Sequence, residues 1–372
     1  MTELTGVNLG NWLVLEKWMA PELFAGTDAE DEWHLTHALD ETARRERFTV
    51  HRDTWITGRD FAYLAARGVQ LLRLPVPYFV FGDVPPFVGC VEYVDRAFDW
   101  AERYGIRILL DLHTVPESQN GFDNGGICGV CRFHQHPEHV EFALTVLERL
   151  AARYGDRPGL WGIEVLNEPI SPELWALLDV PKRYPAVDPE RAAGSEGVPT
   201  AFLQSFYRDA YRRIRAAAPA ARVVLHDGFR MREWLDWFDA EGFENFAVDT
   251  HMYVMMAGQR DLPGYLEYIA ATFGDVLTEA CRRFPVIVGE WCMDTKQAAL
   301  AGMPDEERRE YNRTIAEAHL AAFEPAAAWT YWSWRMHVDT PELDVWDFLR
   351  ATEAGFFPPR GAGGTGGAAD AA

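Results

Sequence analysis

Two glutamates in this chain each close a short apolar run. Glu168 is the penultimate residue of Gly-Leu-Trp-Gly-Ile-Glu-Val-Leu-Asn-Glu-Pro, and Glu290 ends Phe-Pro-Val-Ile-Val-Gly-Glu. A carboxylate at the mouth of a buried strand is costly unless it is solvated, paired or used. Two such strands imply a carboxylate pair facing one site. Retaining glycoside hydrolysis needs such a pair, one acid to protonate the departing oxygen and one carboxylate to attack the anomeric carbon, about 5–5.5 Å apart.

Other apolar runs also end in chemistry-bearing residues: Arg73, Asp111-Leu-His113, Asn167 beside Glu168, His226-Asp227, Asp249-Thr-His251-Met-Tyr253, and Trp329-Thr-Tyr331-Trp332-Ser-Trp334. With Glu290 as nucleophile and Glu168 as acid/base, Arg73 would hold the nucleophile ionised, since a neighbouring cation lowers a carboxylate pKa. Tyr253 would donate to the same carboxylate. Asn167 would donate to the sugar, His113 and His251 would bind hydroxyls or tune the acid, and Trp332 would offer a flat face for a pyranose. Trp329 and Trp334 read as core, whereas His226 and Asp227 fit a site and a core role equally.

The elements that must position these residues alternate. Strand-like runs at 6–10, 69–76, 107–113, 160–167, 222–227, 247–253, 285–290 and 327–334 are separated by amphipathic runs near 54–67, 91–104, 137–154, 200–217, 231–240, 262–283, 305–323 and 343–351. Most strand runs are continuously apolar, as in parallel strands covered on both faces. The pattern predicts an α/β chain folded as a single (β/α)8 TIM barrel with long βα loops over its C-terminal face. Periodicity alone also admits an open doubly wound sheet. Pro137 fits the first position of a helix, and Thr200 with Gln204 suggests a capping box one residue out of register. Three long loops follow strand ends, at 114–136, 170–199 and 292–303. The second is expected to cover or narrow the cleft. Residues 1–358 read as the catalytic barrel and 359–372 as a disordered Gly/Ala-rich tail.

Bulk composition excludes more than it assigns. The chain has 372 residues, 48% of them apolar, with 57 acidic and 35 basic side chains and a net charge of -22. That balance argues against nucleic acid or an anionic membrane as partner. No run approaches the ~18 uninterrupted apolar residues of a membrane span. With no secretory signal visible at Met1, a cytoplasmic location is expected. The oligomeric state is not legible. Five cysteines, an odd number, do not form a disulfide framework. Cys128-Gly-Val-Cys131 with His134 and His136 loosely resembles a zinc cluster, but free thiols in a loop are expected instead, with no metal and no cofactor.

Taken together the motifs resemble glycoside hydrolase family 5 over about residues 4–350. Asn167-Glu168-Pro169 is similar to that family's acid/base motif and Gly289-Glu290-Trp291 to its nucleophile motif. Arg73, His113, Asn167, His251, Tyr253 and Trp332 fall where the family keeps its other site residues. Within the family, Gly6-Val-Asn-Leu-Gly-Asn-Trp-Leu-Val-Leu-Glu16 and the run from Asp111 to Asn124 resemble exo-β-1,3-glucanases. The likeness implies that Glu16, Asp123 and Asn124 grip the terminal sugar and close the far end of the cleft. It also implies that Phe122 is half of an aromatic clamp on the outgoing sugar. Departures are Glu117 where those enzymes usually have Gly, Met256 near the clamp's second aromatic, the long 170–199 loop, and the absent secretion signal. The family also includes intracellular bacterial β-mannosidases. The reading is an exo-acting enzyme that removes a terminal β-glucosyl or β-mannosyl unit from short oligosaccharides. The alternatives are an endo-glucanase or endo-mannanase, a non-catalytic sugar-binding barrel, and a metal-dependent barrel hydrolase.

Overall fold

The computed structural model describes residues 4–358. The segment 359–372, expected to be a disordered tail, lies outside the described residues. Eight parallel strands, β1 (Leu4–Asn8), β2 (Leu71–Val76), β3 (Arg107–Leu112), β4 (Leu160–Glu164), β5 (Val223–His226), β6 (Phe246–His251), β7 (Val286–Glu290) and β8 (Ala328–Tyr331), follow one another around a closed barrel. Pairing of β8 onto β1 removes the open-sheet alternative. Among the described residues, no helix is long and apolar enough to cross a membrane.

Strand side chains alternate with a period of two, and the sequence uses that period to stack unlike layers inside the barrel. Leu4, Leu71, Leu109, Trp161, Val224, Ala247, Ile287 and Ala328, one from each strand, form an apolar cluster separate from the main core. Two residues further along their strands stand Arg73, Asp111, His226, Asp249, Gly289 and Thr330. The barrel is therefore plugged by hydrocarbon at one end and polar above it. The polar layer lies toward the C-terminal strand ends, where barrels keep their sites.

Two strands carry an extra residue. On β4, the partner of Ile108 is Leu160 but the partner of Leu109 is Gly162, so Trp161 is bypassed. The phase of alternation shifts, and Glu164 rather than Ile163 turns to the barrel axis. On β7, Thr250 pairs with Val288 but His251 pairs with Glu290, bypassing Gly289. Bulges of this kind re-aim side chains next to active sites. Here one brings Glu290 level with His251. The Gly289 N–H donates to Asp249 Oδ1 at 2.7 Å, and its carbonyl accepts from Asn8 Nδ2 at 2.8 Å.

Each of the eight expected helical runs contains a helix, but their bounds differ and further helices are present. Pro137 opens the helix Pro137–Tyr154 at its first turn. Thr200 caps nothing: Pro199 occupies the N-cap position of Thr200–Ala217, and the Thr200 hydroxyl donates to Glu233 Oε2 instead. The run expected as one helix at 54–67 is the end of Glu41–Trp55 followed by Gly58–Ala66. Glu41–Trp55 is capped by Asp40, and the second helix starts at a Thr57/Asp60 capping box. A further helix, Glu32–Ala38, is capped by Asp31. The run 262–283 is interrupted by a π-helical turn at Ile269–Gly274. The 343–351 run is a 3-10 turn, Pro341–Trp346, followed by a helix at Phe348–Glu353.

Gly289 is the point where fold and polar layer meet. A methyl group built there would run into the Asp249 carboxylate. We expect Gly289→Ala to destabilise the barrel by about 1–3 kcal/mol, the range for overpacking a filled interior. Urea denaturation with an unchanged midpoint would show that the bulge tolerates a side chain.

Candidate active site

Arg73 is the electrostatic centre of the polar layer. It is fully buried on β2. Its Nε donates to Glu164 Oε2 at 2.8 Å and one Nη to Glu164 Oε1 at 3.1 Å, a two-pronged grip. The other Nη donates to Glu290 Oε1 at 2.8 Å, while Asn167 Oδ1 accepts at 2.8 Å from the Nη that bonds Glu164. Asp111 lies at 3.1 Å and Asp249 at 3.5 Å. Burial pushes the Glu164 carboxyl well above the ordinary range despite the guanidinium beside it.

Glu168 and Glu290 converge as required for a shared site. A carboxylate oxygen of each and a ring nitrogen of His251 all lie within 4.8 Å of one another. His251 Nδ1 is 2.7 Å from Glu168 Oε1 and 3.4 Å from Glu290 Oε2. The Tyr253 hydroxyl donates to Glu290 Oε2 at 2.6 Å, and Asn124 Nδ2 donates to Glu168 Oε2 at 2.8 Å. Burial raises the Glu290 pKa; His251 and Arg73 oppose that shift and the Glu168 charge adds to it, leaving it above the ordinary value. Burial pushes Glu168 the same way, but the bond from His251 and its charge bring it below the ordinary value. Burial disfavours the His251 cation, yet Glu290, Asp249 and Glu168 hold its pKa well above the usual imidazole range. His251 and Glu168 thus face each other as a buried imidazolium–carboxylate pair, close enough to titrate together,.

Glu168 lies four residues beyond the end of β4, in a left-handed backbone conformation (φ 43°) that non-glycine residues rarely adopt,. Its neighbours hold it there. Gln119 Nε2 donates to the Asn167 carbonyl at 2.8 Å and to the His113 carbonyl at 2.9 Å, and Arg230 donates to the Pro169 carbonyl at 2.8 Å. Glu164, Gln119 and Arg230 were not expected from sequence as site residues. The signal for Glu164 was a lone charge inside an apolar strand.

A cavity of about 850 Å³ opens over the pair. Nine expected residues line it: Glu16, Phe122, Asp123, Asn124, Glu168, His251, Tyr253, Glu290 and Trp332. Arg73, His113 and Asn167 are buried in the layer beneath. There, His113 Nδ1 is bonded to Asp111 at 2.5 Å and its Nε2 faces the Asn167 amide at 3.4 Å. Direct sugar contact by His113 and Asn167 is therefore not what the geometry provides, because their polar atoms face protein. Trp332 lies nearly parallel to His113, with ring centroids 5.7 Å apart. Asn124 also departs from expectation. Its amide accepts from Asn120 and donates to Glu168, so it positions the carboxylate rather than gripping a hydroxyl. Glu16 and Asp123 line the cavity. Glu16 accepts from Trp18 Nε1 at 2.9 Å, while its other oxygen is buried without a partner. Burial raises Asp123 to about 6 and Glu16 well above the ordinary value.

The insertion 170–199 is neither floppy nor a simple lid. It folds into three short helices, Pro172–Leu177, Val180–Arg183 and Pro189–Ala192. Its Arg191 pairs with Glu117 at 2.5 Å, its Ser195 accepts from the Cys131 N–H at 3.0 Å, and Gln135 donates to the Gly194 carbonyl at 2.7 Å. Glu117 has φ 64°, which explains the glycine usual there; in this chain the side chain anchors the insertion instead. Tyr184 of the insertion packs directly on Phe122, ring centroids 5.1 Å apart, so the two rings form one aromatic wall of the cavity rather than a clamp with a space between them. Cys128, Cys131, His134 and His136 form no ligand group. Among the described residues, the donor sets that converge are Glu164–His226–His251 and Glu168–His251–Glu290. His226 Nδ1 accepts from the Gly228 N–H at 2.8 Å, and burial keeps the ring neutral.

A closed parallel barrel with paired carboxylates at the C-terminal strand ends is the architecture of a (β/α)8 glycoside hydrolase. The model of the family Cellulase (glycosyl hydrolase family 5) matches residues 42–338. The chain is 32% identical to the "Probable glucan 1,3-beta-glucosidase A" of Emericella nidulans, over 96% of this chain and 90% of that one. It is 30% identical to the glucan 1,3-beta-glucosidase of Schwanniomyces occidentalis, over 96% and 87%. Rutinosidase from Aspergillus niger superposes with a TM-score of 0.76 at 22% identity, covering 96% of this chain and 98% of that one, a likeness of fold. The chain belongs to glycoside hydrolase family 5 and is a hydrolase of O-glycosidic bonds.

Glu290 and the His251–Glu168 pair set a pH dependence. The attacking carboxylate must be ionised, so activity falls as pH drops through the raised Glu290 pKa, above the ordinary Glu value of about 4.3. The proton that Glu168 must deliver is held on His251, whose raised pKa sets the alkaline limb. In His251→Asn the cation that lowers Glu290 is gone, and the acid limb moves up. The acid proton then rests on a buried carboxyl alone, and the alkaline limb moves down. The kcat/KM profile on an alkyl glycoside should narrow from both sides; two unmoved limbs would remove His251 from the proton network.

Proposed function

We propose that the chain is a retaining, exo-acting β-glycosidase that removes a terminal β-glucosyl unit, with Glu290 as nucleophile and Glu168 as acid/base. The observation that carries this reading is the approach of the two carboxylates to within 4.8 Å of one another, near the spacing that leaves no room for an intervening water. The donors are unequally distributed around them. Of the two carboxylates, Arg73 and Tyr253 bond only to Glu290, and the guanidinium opposes the rise that burial gives its pKa,. Glu168 is bonded instead to His251 Nδ1, at 2.7 Å.

In the first step a Glu290 oxygen attacks the anomeric carbon while the Glu168 proton passes to the departing oxygen, and the C–O bond to the leaving group breaks. In the second step Glu168 takes a proton from water, whose oxygen attacks the same carbon and frees Glu290. Two inversions give net retention. The buried unpartnered Glu16 oxygen and the Asp123 carboxyl in the same cavity would accept hydroxyl hydrogen bonds from a single terminal sugar, which supports exo action. The relatives' printed name, glucan 1,3-beta-glucosidase, supports glucose over mannose. A cytoplasmic setting belongs to the same proposal. Its support is that the five cysteines stand as free thiols, as they do where glutathione keeps them reduced.

Purified protein should cleave p-nitrophenyl β-glucoside faster than p-nitrophenyl β-mannoside; the reverse order would overturn the choice of sugar. Glu290→Ala should lose turnover, and azide should restore it with an α-glycosyl azide as product. Normal hydrolysis in that variant would reject the nucleophile. Glu168→Gln should lower kcat on alkyl glucosides by about 10²–10⁴ and on p-nitrophenyl glucoside far less, because a good leaving group needs no acid. Equal losses on both would reject the acid.

A further inference from the structure

The cavity is much larger than its sugar end, and its outer walls differ in chemistry from the part around the carboxylates. Leu174, Leu177 and Tyr184 of the insertion form one stretch. Met255 and Met256 after β6, with Phe229 after β5, form another. Leu177 is 79% exposed and Met256 47%, two of the few large apolar side chains that this protein leaves in water, and both border this one cavity. Exposed apolar surface concentrated at a cavity mouth marks a binding surface. Of the charged groups bordering the cavity, Glu173 and Arg183 of the insertion are exposed to solvent, Arg183 lying over the ring of its neighbour Tyr184, and three others are turned to protein partners. Arg232 pairs with Glu279 at 3.3 Å, Lys296 with Asp294 at 2.7 Å, and Glu233 accepts from Thr200 at 2.9 Å. A second sugar would want polar groups that hydrogen-bond its hydroxyls. Leucines and thioethers provide none, but they fit around a flat apolar group. The volume, about 850 Å³, lies in the range that buries a drug-sized ligand,.

We infer that the group leaving from this site is an apolar, aromatic-sized aglycone rather than a second sugar, seated between the Phe122–Tyr184 pair and the Leu177 and Met256 walls. The inference rests on Glu168 and Glu290 acting as proposed above, and it names what they release. It replaces the short oligosaccharide as preferred substrate. The insertion is the element that makes the difference, since it supplies Leu174, Leu177 and Tyr184 together.

The test compares 2-phenylethyl β-glucoside, methyl β-glucoside and laminaribiose on the wild-type enzyme. The first two release aliphatic alcohols, so their ratio reads aglycone binding with little change in leaving-group chemistry. Burying the phenylethyl group should raise kcat/KM roughly 10- to 100-fold over the methyl glucoside, and above laminaribiose. In Leu177→Asp and Met256→Asp the phenylethyl-to-methyl ratio should fall several-fold; both sites are exposed enough to accept the change without unfolding. Laminaribiose cleaved as well as or better than the phenylethyl glucoside, or a ratio that neither substitution moves, overturns the inference alone. Failure to cleave even p-nitrophenyl β-glucoside overturns the reading of the site and this inference with it.

Discussion

A single guanidinium, Arg73, stands among four acidic side chains, Asp111, Glu164, Asp249 and Glu290, inside a barrel with no exposure to water. Isolated charges in such a place would be prohibitively costly. The arrangement is tolerable because arginine's fork of donors satisfies several acceptors at once, and because burial favours a proton on Glu164. Removing one partner from a buried pair of this kind typically costs about 3–5 kcal/mol, since the remaining charge is left uncompensated. The strands above the apolar plug are thus committed to this cluster. Glu290 inherits its orientation from it: one oxygen is fixed by Arg73, the other by Tyr253.

Glu168 is held by different means. It depends on no direct bond to Arg73 but on a left-handed backbone turn clamped by Gln119 and Arg230, with His251 and Asn124 on the carboxylate itself. A left-handed conformation at a non-glycine residue costs of order 1–3 kcal/mol and persists only where the surroundings enforce it. The two carboxylates thus differ in environment as well as in role. The nucleophile is held by Arg73 and Tyr253 with other carboxylates close by. The acid sits on a left-handed turn, 2.7 Å from a histidine ring nitrogen.

How much of this could be read from sequence follows from the same physics. The strands were legible as apolar runs alternating with amphipathic ones, and the two glutamates because an apolar run that stops at a charge is rare without a reason. Glu164 was not legible as a site residue because its inward direction depends on the extra residue at Trp161, and a bulge changes the phase without changing the composition. The helix at Glu41–Trp55 was missed because its first half is dominated by charge, and Glu32–Ala38 because it has only 7 residues, although the capping aspartates Asp31 and Asp40 marked their starts. Asn124 was assigned to the sugar because sequence places it beside the site but does not show which neighbour its amide meets. Glu117 in place of glycine looked like a defect. Its positive φ and its bond to Arg191 make it the anchor of an insertion whose fold sequence could not show.

The division between strands and loops explains how one catalytic set can serve a new leaving group. Glu290, Arg73 and His251 belong to strands whose inward positions are fixed by the barrel's closure, so none can move without disturbing the cluster around Arg73. The walls that would meet an aglycone belong to connections after β4, β5 and β6, which tolerate insertion because few core contacts depend on them. Tyr184 illustrates the point. It faces Phe122 from a loop, at 5.1 Å between rings, while Met256, on another loop, is free to be aliphatic. With an aromatic residue at the Met256 position, the outer cavity would be flanked by rings on both sides, as suits a stacked sugar. Packing both rings into one wall leaves Leu177 and Met256 to face the opening, and the leaving-group end becomes apolar with no change to the residues that break the bond.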